Sequence, residues 1–157
     1  MRARPLDAGD REWAAAKLRE LWGEVVVSRG AVHDATVLPG FVAEDAAGRP
    51  AGLLTYRLDD RDCEVVTIDA FPEGGGAGTA LVDAVTEAAR AAGCRRVWLI
   101  TTNDNLRALR FYQRRGFRLV AVHRNALVRS RELKPSIPEI GFDGIPLRDE
   151  LELELVL

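Results

Sequence analysis

The chain has 157 residues, of which 47% are hydrophobic, and a formal net charge of −2 at pH 7. This length and composition are typical of one globular domain, residues 1–157, that folds without disulfides. Two cysteines form neither a disulfide framework nor a metal-ligand spacing, and no apolar run has the length of a signal peptide or a membrane span. The slightly acidic balance argues against a nucleic-acid surface. We expect a cytoplasmic monomer or homodimer with no metal, no membrane contact and no nucleic-acid partner.

The first part of the chain is predicted to contain a short strand followed by a helix. Residues 2–6 suit an edge strand, and Asp7 is placed to cap a helix whose apolar stripe ends near Trp22. Residues 28–38 are ambiguous, and a second short helix and a loop remain alternatives. This stretch contains His33, one of only two histidines in the chain.

Three antiparallel strands are predicted next, at residues 41–44, 51–58 and 63–70, because turn-forming residues separate their apolar runs. A glycine-rich turn then leads into a helix that ends at Gly93 and has apolar residues at helical spacing, Leu81, Val85, Ala88 and Ala92.

The second half of the chain alternates strands and helices. Residues 97–100 suit a strand buried on both faces, and a helix is predicted over residues 105–115. A strand at residues 117–123 and one helical turn at residues 126–132 follow. The last strand, residues 150–155, alternates glutamate with leucine, which predicts leucines in the core and glutamates on the opposite face.

The glycine-rich turn has four glycines in the five positions 74–78 and runs directly into the helix. Without side chains, the backbone N–H groups of such a turn can point at an anion, and the helix N-terminus adds its positive dipole end. A Walker loop is excluded because no lysine follows, and a dinucleotide fingerprint is excluded because Leu81 occupies the place of its third glycine. The turn alone leaves a phosphate cradle and a flexible connection as alternatives.

Two motifs occur in order along the chain. A strand leads into Gly76-x-Gly78, and a later segment reads Asn105-x-x-Ala108-x-x-x-Tyr112-x-x-x-Gly116-Phe117. In this order they resemble the GNAT family of N-acetyltransferases, over roughly residues 38–157, and the tail resembles a bacterial subgroup. The resemblance implies an α/β (α+β) fold: a mixed, mostly antiparallel sheet, flanked by helices and splayed between the strands at 63–70 and 96–101.

The resemblance also implies acetyl-CoA as the co-substrate and an amine of a small molecule or protein as the acceptor. The pantetheine arm would pair with the backbone at Ile68 and Ala70, and the pyrophosphate would sit on the glycine turn. Asn105 would bond the cofactor arm, with Tyr112 near the thioester sulfur. The cofactor-binding residues implied in this way are Ile68, Asp69, Ala70, Glu73, Gly74, Gly75, Gly76, Ala77, Gly78, Thr79, Asn105, Arg107 and Tyr112.

Direct transfer to an amine needs a base, an oxyanion donor and an acid. Glu64 is the first candidate for the base, with Asp69 and His33 as weaker ones, and Tyr112 is the candidate acid for the departing thiolate. The backbone N–H groups near Ile68 or Ala70 are placed to stabilise the oxyanion. The structural alternatives are an exposed strand carboxylate for Glu64 and a packed aromatic ring for Tyr112.

Glu73 departs from the family pattern, because the family's loop usually carries glutamine or arginine at this place. A carboxylate beside a pyrophosphate is repelled, so it must turn outward or be neutralised, and Arg107 on the next predicted helix is the first arginine placed to do so. A second hypothesis therefore remains open, in which the chain is a non-catalytic acyl-CoA-binding or sensing module.

Overall fold

The computed structural model describes all residues from Met1 to Leu157 and contains nine β-strands and four α-helices. The chain divides into two compact units. The first comprises residues 1–26, 34–97 and Leu157, and the second comprises residues 27–33 and 98–156. None of the helices combines the length and the apolar character needed to cross a membrane. The predicted fold class, mixed α/β with mostly antiparallel strands and flanking helices, is confirmed.

The elements agree with most of the predicted boundaries to within a few residues. In chain order the strands are β1 (Arg2–Pro5), β2 (Val26–Ser28), β3 (Ala31–His33), β4 (Gly40–Glu44), β5 (Pro50–Asp59), β6 (Asp62–Ala70), β7 (Arg96–Thr102), β8 (Arg118–His123) and β9 (Glu150–Val156). The helices are α1 (Arg11–Trp22), α2 (Ala77–Ala91), α3 (Leu106–Arg114) and α4 (Ala126–Leu133).

The first unit is built on four antiparallel strands in the order β1-β4-β5-β6. The β5–β6 pairing places Thr55 opposite Thr67 and Tyr56 opposite Val65, so Val66 is an extra residue on β6. A bulge of this kind bends a strand and changes where its following side chains point. Beyond the bulge, Leu53 lies opposite Asp69 at the end of the strand that precedes the glycine turn.

Two helices cover the strands of the first unit. On α1, Ala14 and Leu18 are buried in one core cluster with Leu53 of β5 and Val66 of β6. On α2, the predicted stripe is confirmed at Leu81 and Val85, which are fully buried. The stripe continues at Ala89, which is buried, instead of at the predicted Ala88.

Gly52 shows how closely α2 approaches β5. A Cβ atom at this position would lie 3.0 Å from Leu81 Cδ1, 3.1 Å from Ala77 Cβ and 2.9 Å from the carbonyl oxygen of Asp69. Such contacts are tighter than a packed interior accepts, so the first turn of α2 lies directly on β5 only because residue 52 has no side chain. Gly52 therefore helps to place the N-terminus of α2.

The ambiguous stretch 28–38 is neither a helix nor an irregular loop over most of its length. Strands β2 and β3 form a separate two-stranded sheet, joined through Arg29 and Gly30, which have φ of 50° and 74°. Two successive positive φ angles define the tight turn that suits the twist of a hairpin. After the hairpin, residues 35–37 form a short 3-10 turn capped by the Asp34 carboxylate, which accepts the Thr36 backbone N–H.

Besides the β2–β3 hairpin, the second unit contains three strands in the order β7-β9-β8, in which β8 and β9 are antiparallel. Helix α3 begins soon after β7, and α4 follows β8. Helix α4 has eight residues, which is longer than the single predicted turn.

The burial of β9 differs from the prediction. Leu153 is fully buried, as expected, but Leu151 and Leu155 are only partly buried. Glu150 and Glu152 are buried with 2% and 6% of their surface exposed. The expectation that all three leucines lie in the core was therefore wrong for Leu151 and Leu155, and the glutamates at 150 and 152 are buried instead.

The buried glutamates of β9 are held by polar partners within the second unit. Glu152 lies 3.3 Å from Arg29 Nη1 and 3.1 Å from His123 Nε2, measured at Oε1. The Glu150 carboxylate accepts the Arg29 backbone N–H at 3.2 Å. Buried carboxylates persist in proteins when hydrogen bonds and opposite charges replace water, and both are present at Glu152. The β2–β3 turn thus supplies the partners that make a buried acidic face possible.

Both cysteines are free and buried in the first unit. Burial is the main cause that raises the pKa of the Cys63 thiol to about 12, with smaller contributions from Cys94 and Glu64. At neutral pH this thiol is therefore protonated.

We expect Leu153→Ala to lower the free energy of unfolding by about 2 to 5 kcal/mol, because the side chain is fully buried and its removal leaves a cavity. Denaturant unfolding followed by circular dichroism measures the change. Val156→Ala, at a position with 71% exposure on the same strand, is the matched control and should change the stability by less than about 0.5 kcal/mol. Equal effects at the two positions would contradict the assigned burial of β9.

Candidate functional site

The glycine turn connects β6 to α2, and residues 72–76 are exposed. Gly74 and Gly76 have φ of 83° and 89°, a region that residues with a Cβ atom rarely adopt. Gly76 is the N-cap residue of α2, and no side chain caps this helix. A helix N-terminus without a side-chain cap presents backbone N–H groups and a positive dipole end to an anion.

The space beside the turn is open. A Cβ atom at Gly74 would meet no atom within 4 Å. One at Gly75 would lie 3.4 Å from the Met1 side chain and 3.9 Å from the Pro72 carbonyl oxygen, and one at Gly76 would lie 3.7 Å from the Met1 side chain. Glu73 is exposed in the same turn. The local geometry therefore fits the cradle alternative: an anion has room to approach the N-terminus of α2.

The end of β6 directs its side chains to both faces of the sheet. Ala70 lies opposite Gly52, whose missing side chain would point at α2, and Asp69 lies opposite Leu53, which is buried against α1. Because strand side chains alternate, Ile68 and Ala70 share the face of α2, and Asp69 faces α1. The three residues are partly buried.

Asp69 is held by a residue of α1 that was not predicted. The indole Nε1 of Trp22 donates a hydrogen bond of 2.6 Å to Asp69 Oδ2. Burial raises the pKa of the Asp69 carboxyl above its ordinary value, and the Trp22 hydrogen bond and the charge of Lys17 offset part of this effect. No sequence signal indicates the pair, because the two residues are 47 positions apart.

Glu64 is buried, with 2% of its surface exposed, and is not the exposed strand carboxylate of the structural alternative. Its Oε2 lies 2.7 Å from Nε of Arg57, the residue directly opposite on β5. Arg57 also lies 3.5 Å from Asp59. The ion pair fixes the Glu64 carboxylate on its strand, and a role as base requires that pair to open.

Asn105 is the N-cap residue of α3 in the second unit. Its Oδ1 accepts the Ala108 backbone N–H at 3.1 Å, which satisfies one of the free donors of the first helical turn. This cap uses only the carbonyl half of the side-chain amide. Arg107 is exposed on the same helix.

Tyr112 lies on α3 and is 6% exposed. Its ring contacts Phe111 edge-on, with centroids 5.2 Å apart, and Phe117, with centroids 5.5 Å apart. The guanidinium of Arg115 covers the Phe111 ring at 3.6 Å. The packing role considered for Tyr112 is therefore present, and it leaves the acid role of the hydroxyl as a prediction.

Residues 134–149 form a strap that is tied to the end of β7, a feature that the sequence analysis missed. Asn103 Oδ1 accepts the backbone N–H groups of Arg148 and Asp149, both at 3.0 Å. Asp104 is buried, and its Oδ2 accepts the Phe142 N–H at 3.0 Å. The polar run Thr101-Thr102-Asn103-Asp104 directly after an apolar strand is the signal that could have indicated such ties. The strap is anchored at the two residues that precede Asn105.

The structure therefore places the predicted site residues in two groups. Glu64, residues 68–70 and residues 73–79 belong to the first unit, whereas Asn105, Arg107 and Tyr112 belong to the second. His33 lies at the end of β3 in the second unit. No group of three or more histidine, cysteine, aspartate or glutamate side chains is arranged to hold a metal ion.

Comparison with known proteins identifies the family of the chain. Residues 10–117 match the model of the acetyltransferase (GNAT) family. The uncharacterised protein YdhI of Bacillus subtilis is 44% identical over 138 residues, which cover 87% of this chain and 86% of YdhI. An uncharacterised N-acetyltransferase of Mycobacterium tuberculosis is 40% identical over 97 residues, covering 55% of this chain and 62% of that protein.

A solved structure supports the fold independently. A GNAT family acetyltransferase from Elizabethkingia anophelis, crystallised with acetyl-CoA bound, superimposes with a TM-score of 0.73 at 21% identity, covering 99% of this chain and 97% of that one. The chain thus belongs to the GNAT acetyltransferase family. It is an acetyl-CoA-dependent acyltransferase.

Asn105 offers a test that separates its cap from the predicted cofactor bond. Asn105→Ala should lower the free energy of unfolding by about 1 kcal/mol, because the Ala108 N–H loses its acceptor. Asn105→Asp keeps an acceptor oxygen but lacks the amide donor, so it should retain stability and weaken acetyl-CoA binding. Denaturant unfolding and calorimetric titration measure the two effects. If Asn105→Asp bound acetyl-CoA like the parent, the side chain would serve only as a cap.

Proposed function

We propose that this enzyme transfers the acetyl group of acetyl-CoA to an amine of a small molecule or a protein by direct attack of the amine on the thioester. The observation that carries the proposal is the glycine turn before α2. There a helix N-terminus without a side-chain cap follows two glycines with positive φ. This arrangement suits the pyrophosphate of a coenzyme A thioester.

The family resemblance supports the following placement for the rest of the co-substrate. The pantetheine arm pairs with the backbone of β6 at Ile68 and Ala70, and the pyrophosphate rests on the N–H groups of residues 74–79. Glu73 is exposed in the same turn. Asn105 and Arg107 bind the co-substrate from α3. Two free, buried cysteines suit the reducing cytoplasm that we propose as its location.

The chemical step needs three groups. A carboxylate of β6 takes the proton of the acceptor ammonium, and Glu64 and Asp69 are the candidates on this strand. The neutral amine then attacks the thioester carbonyl, whose oxygen gains charge and is stabilised by backbone N–H groups near Ile68 or Ala70. The carbon–sulfur bond breaks, and the Tyr112 hydroxyl gives its proton to the departing thiolate.

Acetyl-CoA should stabilise the protein, because a ligand at a hundred times its dissociation constant adds about 2.7 kcal/mol to the native state. A thermal-shift titration with acetyl-CoA measures binding, and release of free coenzyme A in the presence of a panel of primary amines measures transfer. Desulfo-coenzyme A is the control that binds without transferring. The absence of both stabilisation and amine-dependent release would contradict the proposed function.

Tyr112→Phe should lower kcat by roughly 10²- to 10⁴-fold and leave acetyl-CoA affinity almost unchanged, because the hydroxyl is needed only when the thiolate leaves. The ring contacts with Phe111 and Phe117 remain in the variant, so stability should hold. Tyr56→Phe, which changes the only other tyrosine, is the matched control and should be active. Parent-like turnover of Tyr112→Phe, with chemistry rate-limiting, would reduce Tyr112 to a packing residue.

A further inference from the structure

Asp69 has one engaged and one unengaged carboxylate oxygen. Oδ2 accepts the Trp22 indole N–H at 2.6 Å, whereas Oδ1 has no hydrogen-bond or ion-pair partner within the protein. Oδ1 is nevertheless not fully buried, so it is accessible from solvent. A partly buried carboxylate with an open oxygen costs free energy in the folded state. A neutral hydrogen-bond acceptor, such as an amide oxygen, would be enough to accept the Trp22 indole N–H.

The surroundings of Asp69 are largely apolar. Leu53 lies opposite on β5, and Phe71 packs against the same core cluster as Trp22. The charged side chain that acts on Asp69 is Lys17 of α1, whose ammonium lies over the Phe71 ring at 4.8 Å and 3.5 Å from Glu20. Lys17 therefore already has partners of its own, and Asp69 keeps the character of a desolvated carboxylate.

The position of Asp69 on β6 determines which substrate its side chain can meet. The glycine turn and the N-terminus of α2 belong to the face that Gly52 and Ala70 share, and Asp69 points to the other face, toward α1. In a direct transfer the two substrates must meet without competing for the same space. With the co-substrate held on the α2 face and along the β6 backbone, the α1 face is the approach left for the amine.

We propose that Asp69 Oδ1 binds the ammonium group of the acceptor and takes its proton, while Trp22 fixes the carboxylate through Oδ2. This assignment rests on the proposed function. The ammonium gives one proton to Oδ1, and its nitrogen lone pair forms the carbon–nitrogen bond as the carbon–sulfur bond breaks. The nitrogen loses its second proton to solvent, Tyr112 gives its proton to the thiolate and regains one from solvent, and Asp69 returns its proton to solvent, so one proton is released per turnover. Glu64, held by Arg57, is then a structural ion pair.

The raised pKa of Asp69 supports this role, because a base closer to neutral pH is a stronger proton acceptor. The raised pKa of Asp69 also predicts how stability depends on this residue. A carboxyl whose pKa is raised on folding costs stability at pH values above its ordinary pKa, so Asp69→Asn should keep or increase stability at pH 7. A residue needed only for structure would lose stability when changed.

The kinetic test compares Asp69→Asn, Trp22→Phe and Glu64→Gln with the parent, using the best amine of the panel. Asp69→Asn should keep the stabilisation by acetyl-CoA and lose roughly 10²- to 10⁴-fold in kcat. The rate of the parent should rise with pH through the pKa of Asp69. Trp22→Phe should shift this rise in rate to higher pH. The Trp22 hydrogen bond stabilises the charged carboxylate, so its removal raises the pKa of Asp69. Parent-like kcat in Asp69→Asn, or loss of the rise in rate in Glu64→Gln alone, would overturn the assignment.

A binding test needs no turnover and separates this assignment from the proposed function. Trp22 emission, taken as the difference between the parent and Trp22→Phe, should titrate with a midpoint above 3.8, the ordinary pKa of an aspartate. Methylammonium chloride, as the probe of the ammonium site, should lower that midpoint, with tetramethylammonium as a control that cannot donate a hydrogen bond. A midpoint at or below 3.8, or one unmoved by methylammonium, would refute the Asp69 site even if acetyl-CoA binds and is consumed.

Discussion

The alternation of side chains at the end of β6 is the constraint on which the candidate site depends. Because successive residues of a strand point to opposite faces, Ala70 contributes to the surface that meets α2 and Asp69 to the surface that meets α1. Gly52 allows the first turn of α2 to lie on one face, and the indole of Trp22 ties α1 to the other. One short stretch of strand thus positions a helix N-terminus and a carboxylate on separate sides. The bulge at Val66 precedes this stretch and determines which residues fall on which side.

Local patterns predicted most of the fold, because they depend on neighbours in sequence. The boundaries of β5, β6 and α2 agree closely with the apolar periodicity and the turn residues around them. The β2–β3 hairpin was missed because Arg29, a residue with a side chain, occupies a turn position with positive φ that a pattern assigns to glycine or asparagine. The burial of Glu150 depends on the same Arg29, which is 121 residues away in sequence. No local pattern contains that information.

In the candidate site, too, local features were predictable from the sequence and long-range contacts were not. The glycine turn was predictable, because an uncapped helix start and residues tolerant of positive φ are both visible in the sequence. The ion pair of Glu64 could have been predicted, because the register of the predicted hairpin places Arg57 directly opposite. The bond between Trp22 and Asp69 could not, because it depends on how α1 lies on the sheet. The ties from Asn103 and Asp104 to residues 134–149 likewise join parts of the chain that sequence spacing does not relate.

The state of the two cysteines bears on the route that an acetyl group can take. A thioester exchanges readily with a thiolate, so an accessible and ionised cysteine on the enzyme would become acylated and make the reaction proceed through two half-reactions. Cys63 is buried with its pKa raised to about 12, and Cys94 is buried as well. The chain therefore has no exposed thiol that could form a covalent acetyl-enzyme intermediate. This agrees with the proposed direct transfer, in which both substrates are bound together in a ternary complex.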